Sequence, residues 1–144
     1  MTEVDNFTKK FTKEKISGVV QVNRDFFQVN EDLMNFKGKI TQKPFAIGTF
    51  LGSGKPFHPS IGLLDWLDKR TENHVIIDRK AAWLFLCGRD IFAESVLKQN
   101  INNGHMVLVK NEENEVLGLG EMTGRKVSIR NVLDKGNFLR RERH

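Results

Sequence analysis

The stretch from His74 to Ile129 limits the possible folds more than any other. It opens with a β-branched run, His74–Ile77 (HVII), and passes into an apolar segment, Ala81 to Leu86, that Asp78 is suited to cap and Gly88 to stop. Arg89 to Val96 reads as a loop or a second short helix, and Asn102-Asn103-Gly104 then turns the chain. Met106–Val109 (MVLV) and Val116–Leu119 (VLGL) are strands joined by the polar hairpin Asn111 to Asn114, and Val127–Ile129 is another strand after Gly124. A strand, a helix and then closely spaced strands with short polar turns favour a small barrel or folded sheet.

The residues upstream form a different pattern. Residues 1–17 interleave Thr, Lys and Glu around Phe7 and Phe11, and carry no strong cap. Gly18–Asn23 and Asp25–Val29 read as strand, turn and strand around Asn23-Arg24. Asn30–Phe36 has the composition of a capped helical turn, with Glu31 and Asp32 at its positive end. The apolar run Phe45–Leu51 and the segment Lys55–His58 form a hairpin about Gly52-Ser53-Gly54, where glycine permits a positive φ. Ser60 then caps a helix whose apolar face is Ile61, Leu63, Leu64 and Leu67. The polar tripeptide Thr71-Glu72-Asn73 follows the basic end of this helix, which divides the chain into domains 1–72 and 73–144; one fused domain is the alternative. The fold class is α+β, with a small antiparallel α/β domain ahead of a β-rich one.

Charge is unevenly spread. Residues 1–124 hold 16 Lys/Arg against 16 Asp/Glu, so the net +5 belongs to the last twenty residues. There Arg125, Lys126, Arg130, Lys135, Arg140, Arg141 and Arg143 face only Asp134 and Glu142. Clustered cations of this kind neutralise phosphates and release counterions, although a solvated tail has the same composition. No run approaches the roughly 20 apolar residues of a membrane span, and Met1–Lys15 lacks a signal-peptide core, so a soluble intracellular protein is expected.

Catalytic patterns are sparse. His58, His74, His105 and His144 are scattered without metal-ligand spacing, and the single Cys87 sits after Trp83–Leu86, where a buried and inert thiol is expected. Gly52-Ser53-Gly54-Lys55 has the glycines and lysine of an anion loop, but Pro56 replaces the Ser or Thr and the helix that a phosphate-binding loop requires. Gly118-x-Gly120 lies in a strand with no following helix, which points to close backbone packing or a bulge. Gly88-Arg89-Asp90 is the better signal, because a glycine at a helix end brings Arg89 toward a phosphate or an exposed base. A local surface pair of Arg89 with Asp90 would need no ligand.

Three collinear strings carry a family resemblance. Trp83–Phe92 (WLFLCGRDIF), Val116–Gly120 (VLGLG) and Leu133–Glu142 (LDKGNFLRRE) resemble the PUA domain of the Nip-seven family of large-subunit ribosome-biogenesis factors. Phe45–Gly52 (FAIGTFLG) and Phe57–Leu67 (FHPSIGLLDWL) are similar to that family's N-terminal domain, and the match runs over about residues 24–144. Family members usually carry a longer N-terminal segment, so the first domain's partner-binding surface is expected to differ here.

The resemblance implies an N-terminal α/β domain, a C-terminal PUA-type β pseudo-barrel, RNA binding and no enzymatic activity. It places the family's basic surface on Arg140 and Arg141, with Lys135 and Arg89 inferred to be near, and points along the helix after the domain's first strand toward Lys80, Arg89 and Lys98. Arg125 and Lys126 join these candidates from the basic cluster. The expected protein is a monomer with no cofactor and no metal, cytoplasmic or, in a eukaryote, nucleolar. Its partners are pre-ribosomal RNA in single-stranded or looped form and ribosome-assembly proteins, with no membrane. A PUA-containing targeting subunit or partner of an RNA-modifying enzyme is the alternative. A nucleotide enzyme using Gly52–Lys55 and a protein-binding scaffold with a solubilising tail are further ones.

Overall fold

The computed structural model describes residues 2–29, 48–100, 106–123 and 127–136. The chain separates into two compact units, Met1–Leu67 and Asp68–His144.

In the first unit, helix α1 (Glu3–Thr8) forms where no cap was expected. Thr2 and Asp5 make a capping box: the Thr2 hydroxyl accepts from the Asp5 N–H at 3.2 Å, and the Asp5 carboxylate accepts from the Thr2 N–H at 3.2 Å. Strands β1 (Val19–Val22) and β2 (Asp25–Gln28) pair about Asn23, as the sequence predicts. The hairpin of β3 (Thr49–Ser53) and β4 (His58–Pro59) also forms, although Gly52 and Ser53 belong to β3 and residues 54–57 make the turn. The sheet order is β1-β2-β3-β4, antiparallel throughout. The Ser60 hydroxyl accepts from Leu63 N–H at 3.1 Å and donates to the Phe50 carbonyl at 2.6 Å, so it both starts helix α2 (Ile61–Asp68) and ties it to β3. Leu63, Leu64 and Leu67 are fully buried. The core also uses aromatic rings, with Phe57 centred 5.5 Å from Phe7 and 5.8 Å from Phe26.

The second unit is a six-stranded mixed sheet in the order β6-β10-β9-β8-β5-β7. Its strands are β5 (His74–Ile77), β6 (Ile91–Phe92), β7 (Val96–Asn100), β8 (Met106–Lys110), β9 (Val116–Met122) and β10 (Val127–Asp134). Only the β5–β8 pair is parallel, and its crossover carries helix α3 (Arg79–Leu86), β6 and β7. Alternation sends Val75, Ile77, Val107 and Val109 to one face, where they meet Phe85, Leu117 and Ile129. Ladder shifts opposite Val109/Lys110 and at Asn131/Leu133 bend β9 and β10. Gly118 and Gly120 lie at these bends: a Cβ on Gly118 would strike the Leu133 carbonyl oxygen, and one on Gly120 the Ile129 side chain. The Gly-x-Gly pattern is therefore a close-packing device. The bent, nearly closed sheet with one helix is the expected β pseudo-barrel.

Residues 89–96, expected as a loop or a second short helix, hold the two-residue strand β6 and a short 3-10 helix (Ala93–Ser95) that leads into β7. One expectation for this unit needs correction. Cys87 is exposed, not buried, because it stands one turn beyond the outward-facing Trp83 at the end of α3. The helical turn expected at Asn30–Phe36 and the turn at Asn102–Gly104 lie outside the described residues.

Candidate nucleic-acid interface

The site begins with how α3 starts and stops. The Asp78 carboxylate accepts from the Ala81 N–H at 2.8 Å and fixes the first turn. At the other end Gly88 adopts φ 94, a conformation in which a side chain is strained. Its N–H donates to the Phe85 carbonyl at 2.9 Å, and the Arg89 N–H donates to the Leu84 carbonyl at 3.0 Å. These two bonds make a Schellman motif, which satisfies carbonyls that the helix leaves free and turns the chain sharply at Arg89.

A residue on a distant strand locks this corner. The Asn131 side-chain amide donates to the Phe85 carbonyl at 2.9 Å and to the Arg89 carbonyl at 3.3 Å, while its backbone N–H donates to the Asp90 carboxylate at 2.8 Å. Asp90 is thus engaged with β10, and among the described residues no ion pair forms between Arg89 and Asp90. Nothing in the sequence pattern marks Asn131, because its three contacts all cross more than forty positions of chain.

Beside the corner lies a groove of about 250 Å³ lined by Ala81, Leu84, Arg89, Asp90, Ile91, Phe92 and Ser95. Phe92 is 51% exposed and lines this depression together with the exposed Arg89 and the apolar Ala81, Leu84 and Ile91. Such a pairing suits an unpaired base and its phosphate, since aromatic faces stack on any base and arginine donates in a fork. Phe92 was not singled out from sequence, although its place two residues after Asp90 is where the chain leaves the helix corner.

The other candidates are dispersed. Lys80 is exposed on α3, one residue before the groove-lining Ala81. Lys135 is half-buried and precedes Gly136, whose backbone lies against the Leu86 carbonyl at the end of α3. Lys98 does not line the groove; it is opposite Ile76 on β5, which is itself opposite Lys110 on β8. There it belongs to a second cationic group. His74, two residues along the same strand, is held below its ordinary pKa by burial and then by the charges of Lys110 and Lys98. Lys110 is buried with its Nζ 2.7 Å from Asp68. Arg130, counted in the basic terminus, is paired with Glu121 at 3.1 Å across β9 and β10. Arg125, Lys126, Arg140 and Arg141 lie outside the described residues.

Lys55 reaches Glu3 at 3.5 Å and is followed by β4 rather than a helix. Among the described residues no cluster of three His, Cys, Asp or Glu is placed to hold a metal, and no helix is long and apolar enough to cross a membrane.

One solved structure shares this architecture over nearly its whole length. A solved structure described as a conserved PUA domain protein from Thermoplasma acidophilum superposes with a TM-score of 0.59 at 17% identity, covering 99% of this chain and 96% of that one. A second, NSun6 from Pyrococcus horikoshii, aligns at a TM-score of 0.40 and 16% identity over 74% of this chain and 30% of its own. A UPF0113 protein of Archaeoglobus fulgidus is 31% identical over an alignment 112 positions long that covers 69% of this chain; the chain spans about 64% of the length of that curated relative. Residues 73–143, which include the groove, match the UPF0113 PUA domain model, and PUA domains are a class that generally binds RNA.

Proposed function

We propose that the second unit takes single-stranded or looped RNA into the groove between α3 and β6. The carrying observation is Arg89: the helix-end hydrogen bonds and Asn131 fix its backbone beside the exposed ring of Phe92, and among the described residues no carboxylate claims its guanidinium. Lys80 and Lys135 stand near the same helix and add charge to the approach. Arg125 and Lys126, on the charge pattern, and Arg140 and Arg141, on the family resemblance as well, are proposed as further cationic contacts to the RNA.

At the level of the cell, the protein is a non-catalytic factor of large-subunit ribosome assembly, binding pre-ribosomal RNA together with assembly proteins in the cytoplasm or nucleolus. The support is the collinear resemblance to the Nip-seven family over both units. The test is a titration of the full chain with labelled uridine-rich RNA over a salt series, beside sedimentation of cell extract. Arg89→Ala should weaken binding roughly tenfold and lower the salt slope by about 0.7 for the lost phosphate contact. An unchanged affinity and slope removes Arg89 from the site, and absence of RNA binding by the native chain overturns the groove as an RNA site. Co-sedimentation with large-subunit precursors supports the assembly role; migration only with an RNA-modifying enzyme would replace it.

A further inference from the structure

The solvent face of α3 carries a second aromatic group that the groove does not use. Trp83 is 67% exposed, the largest value among the exposed large hydrophobic side chains described. Its position follows from helical phase: Ala81, Ala82 and Phe85 are buried, and Trp83 stands opposite them. Arg79 and Lys80, four and three residues earlier, share its face one helical turn away, and both are exposed. No acidic residue occurs from Arg79 to Leu86. On the helix surface Lys80 falls between Trp83 and the groove-lining Leu84, at about 100° per residue.

An isolated indole framed by cations on a convex helix favours one kind of partner. A protein interface would require a cluster of buried apolar anchors, whereas Arg79, Lys80 and Cys87 are the exposed neighbours on this face. A nucleic-acid strand needs only a flat ring for a base and cations for its phosphates. Leu84 and Lys80 connect the groove with the indole without an intervening negative charge on the helix.

We infer that Trp83 is a stacking platform for an unpaired nucleotide next to the one held in the groove, with Arg79 and Lys80 contacting the phosphates between them. This rests on the groove being an RNA site, and it makes the bound element a strand that crosses α3 rather than a single flipped base.

The test uses the full chain carrying Trp66→Phe, so that Trp83 is the sole indole emitter, and uridine ligands of one and of eight nucleotides. Quenching of Trp83 emission by the longer RNA is expected. Trp83→Ala should weaken the eight-residue RNA by roughly tenfold, within the range of one base–aromatic stack, leave the single nucleotide unaffected, and be largely rescued by Trp83→Phe. Arg89→Ala should weaken both lengths. If Arg89→Ala weakens both lengths while Trp83→Ala changes neither and no quenching occurs, the platform is overturned and the groove stands. If the native chain binds neither RNA, the groove and the platform fall together. Equal loss in Trp83→Ala and Trp83→Phe, with no quenching, overturns stacking and assigns Trp83 a structural role, which a lowered melting temperature in both variants would show.

Discussion

The two units solve the problem of core formation in opposite ways. The first buries Phe7, Phe11, Phe26 and Phe27 with Leu51 and the leucines of α2, and its rings meet at tilted or edge-on angles. The second buries mainly Val, Ile and Leu, with Phe85 as its one large ring in the main cluster, and relies on glycines to bring β9 and β10 together. Rings fill irregular space between short strands and a helix, so a small change of angle is absorbed. A glycine contact against backbone leaves no such freedom. In the second unit the glycine contacts that join β9 to β10 also hold the strand that carries Asn131, which links strictness of packing to the placement of Arg89.

That comparison breaks most directly at Gly118. Gly118→Ala sets a methyl group against the Leu133 carbonyl, and we expect a loss of about 3 kcal/mol or more in urea unfolding, because backbone cannot rotate away as a side chain does. A loss below about 1 kcal/mol would show that β10 is as adaptable as the aromatic core. A smaller effect is expected in the first unit, where Thr2→Ala removes one half of the capping box and should cost about 1 kcal/mol, read from the same unfolding curves. The smallest is a pH effect confined to the second unit. With the His74 pKa lowered in the folded state, the unfolded chain binds more protons as pH falls through the ordinary histidine value of 6.5. Stability is then full above that value and declines as pH falls through it, and His74→Gln should flatten the decline between neutral and mildly acidic pH. An identical acid limb in the variant would remove His74 as its source.

The elements most visible in the sequence are those whose signals are local. Asp78 as cap, Gly88 as stop and Ser60 before a leucine face are each decided within one or two turns of helix, and all three act as their residue types predict. Strand β7 was invisible because Leu97 to Asn100 are all exposed, so neither alternation nor an apolar run announces it. The α1 cap was missed since Asp5 closes the box where Glu or Gln is the usual signal, and no long periodic run follows. Cys87 was misjudged by composition when phase would have placed it outward with Trp83. At the groove, Arg89 was legible from Gly88, whereas Asn131 and the bend that delivers it depend on strand register between distant parts of the chain. The candidates of the basic terminus illustrate the converse: charge count marked Arg130, and pairing with Glu121 engages it.

The Schellman corner has a kinetic consequence. Because Arg89 borders the groove on a backbone already closed by hydrogen bonds from Gly88, Arg89 and Asn131, a strand bound in the way proposed above need not wait for that loop to order. Under that proposal encounter proceeds at the pace of electrostatically steered diffusion, and differences among RNA sequences are expected in how long the complex survives rather than in how quickly it forms.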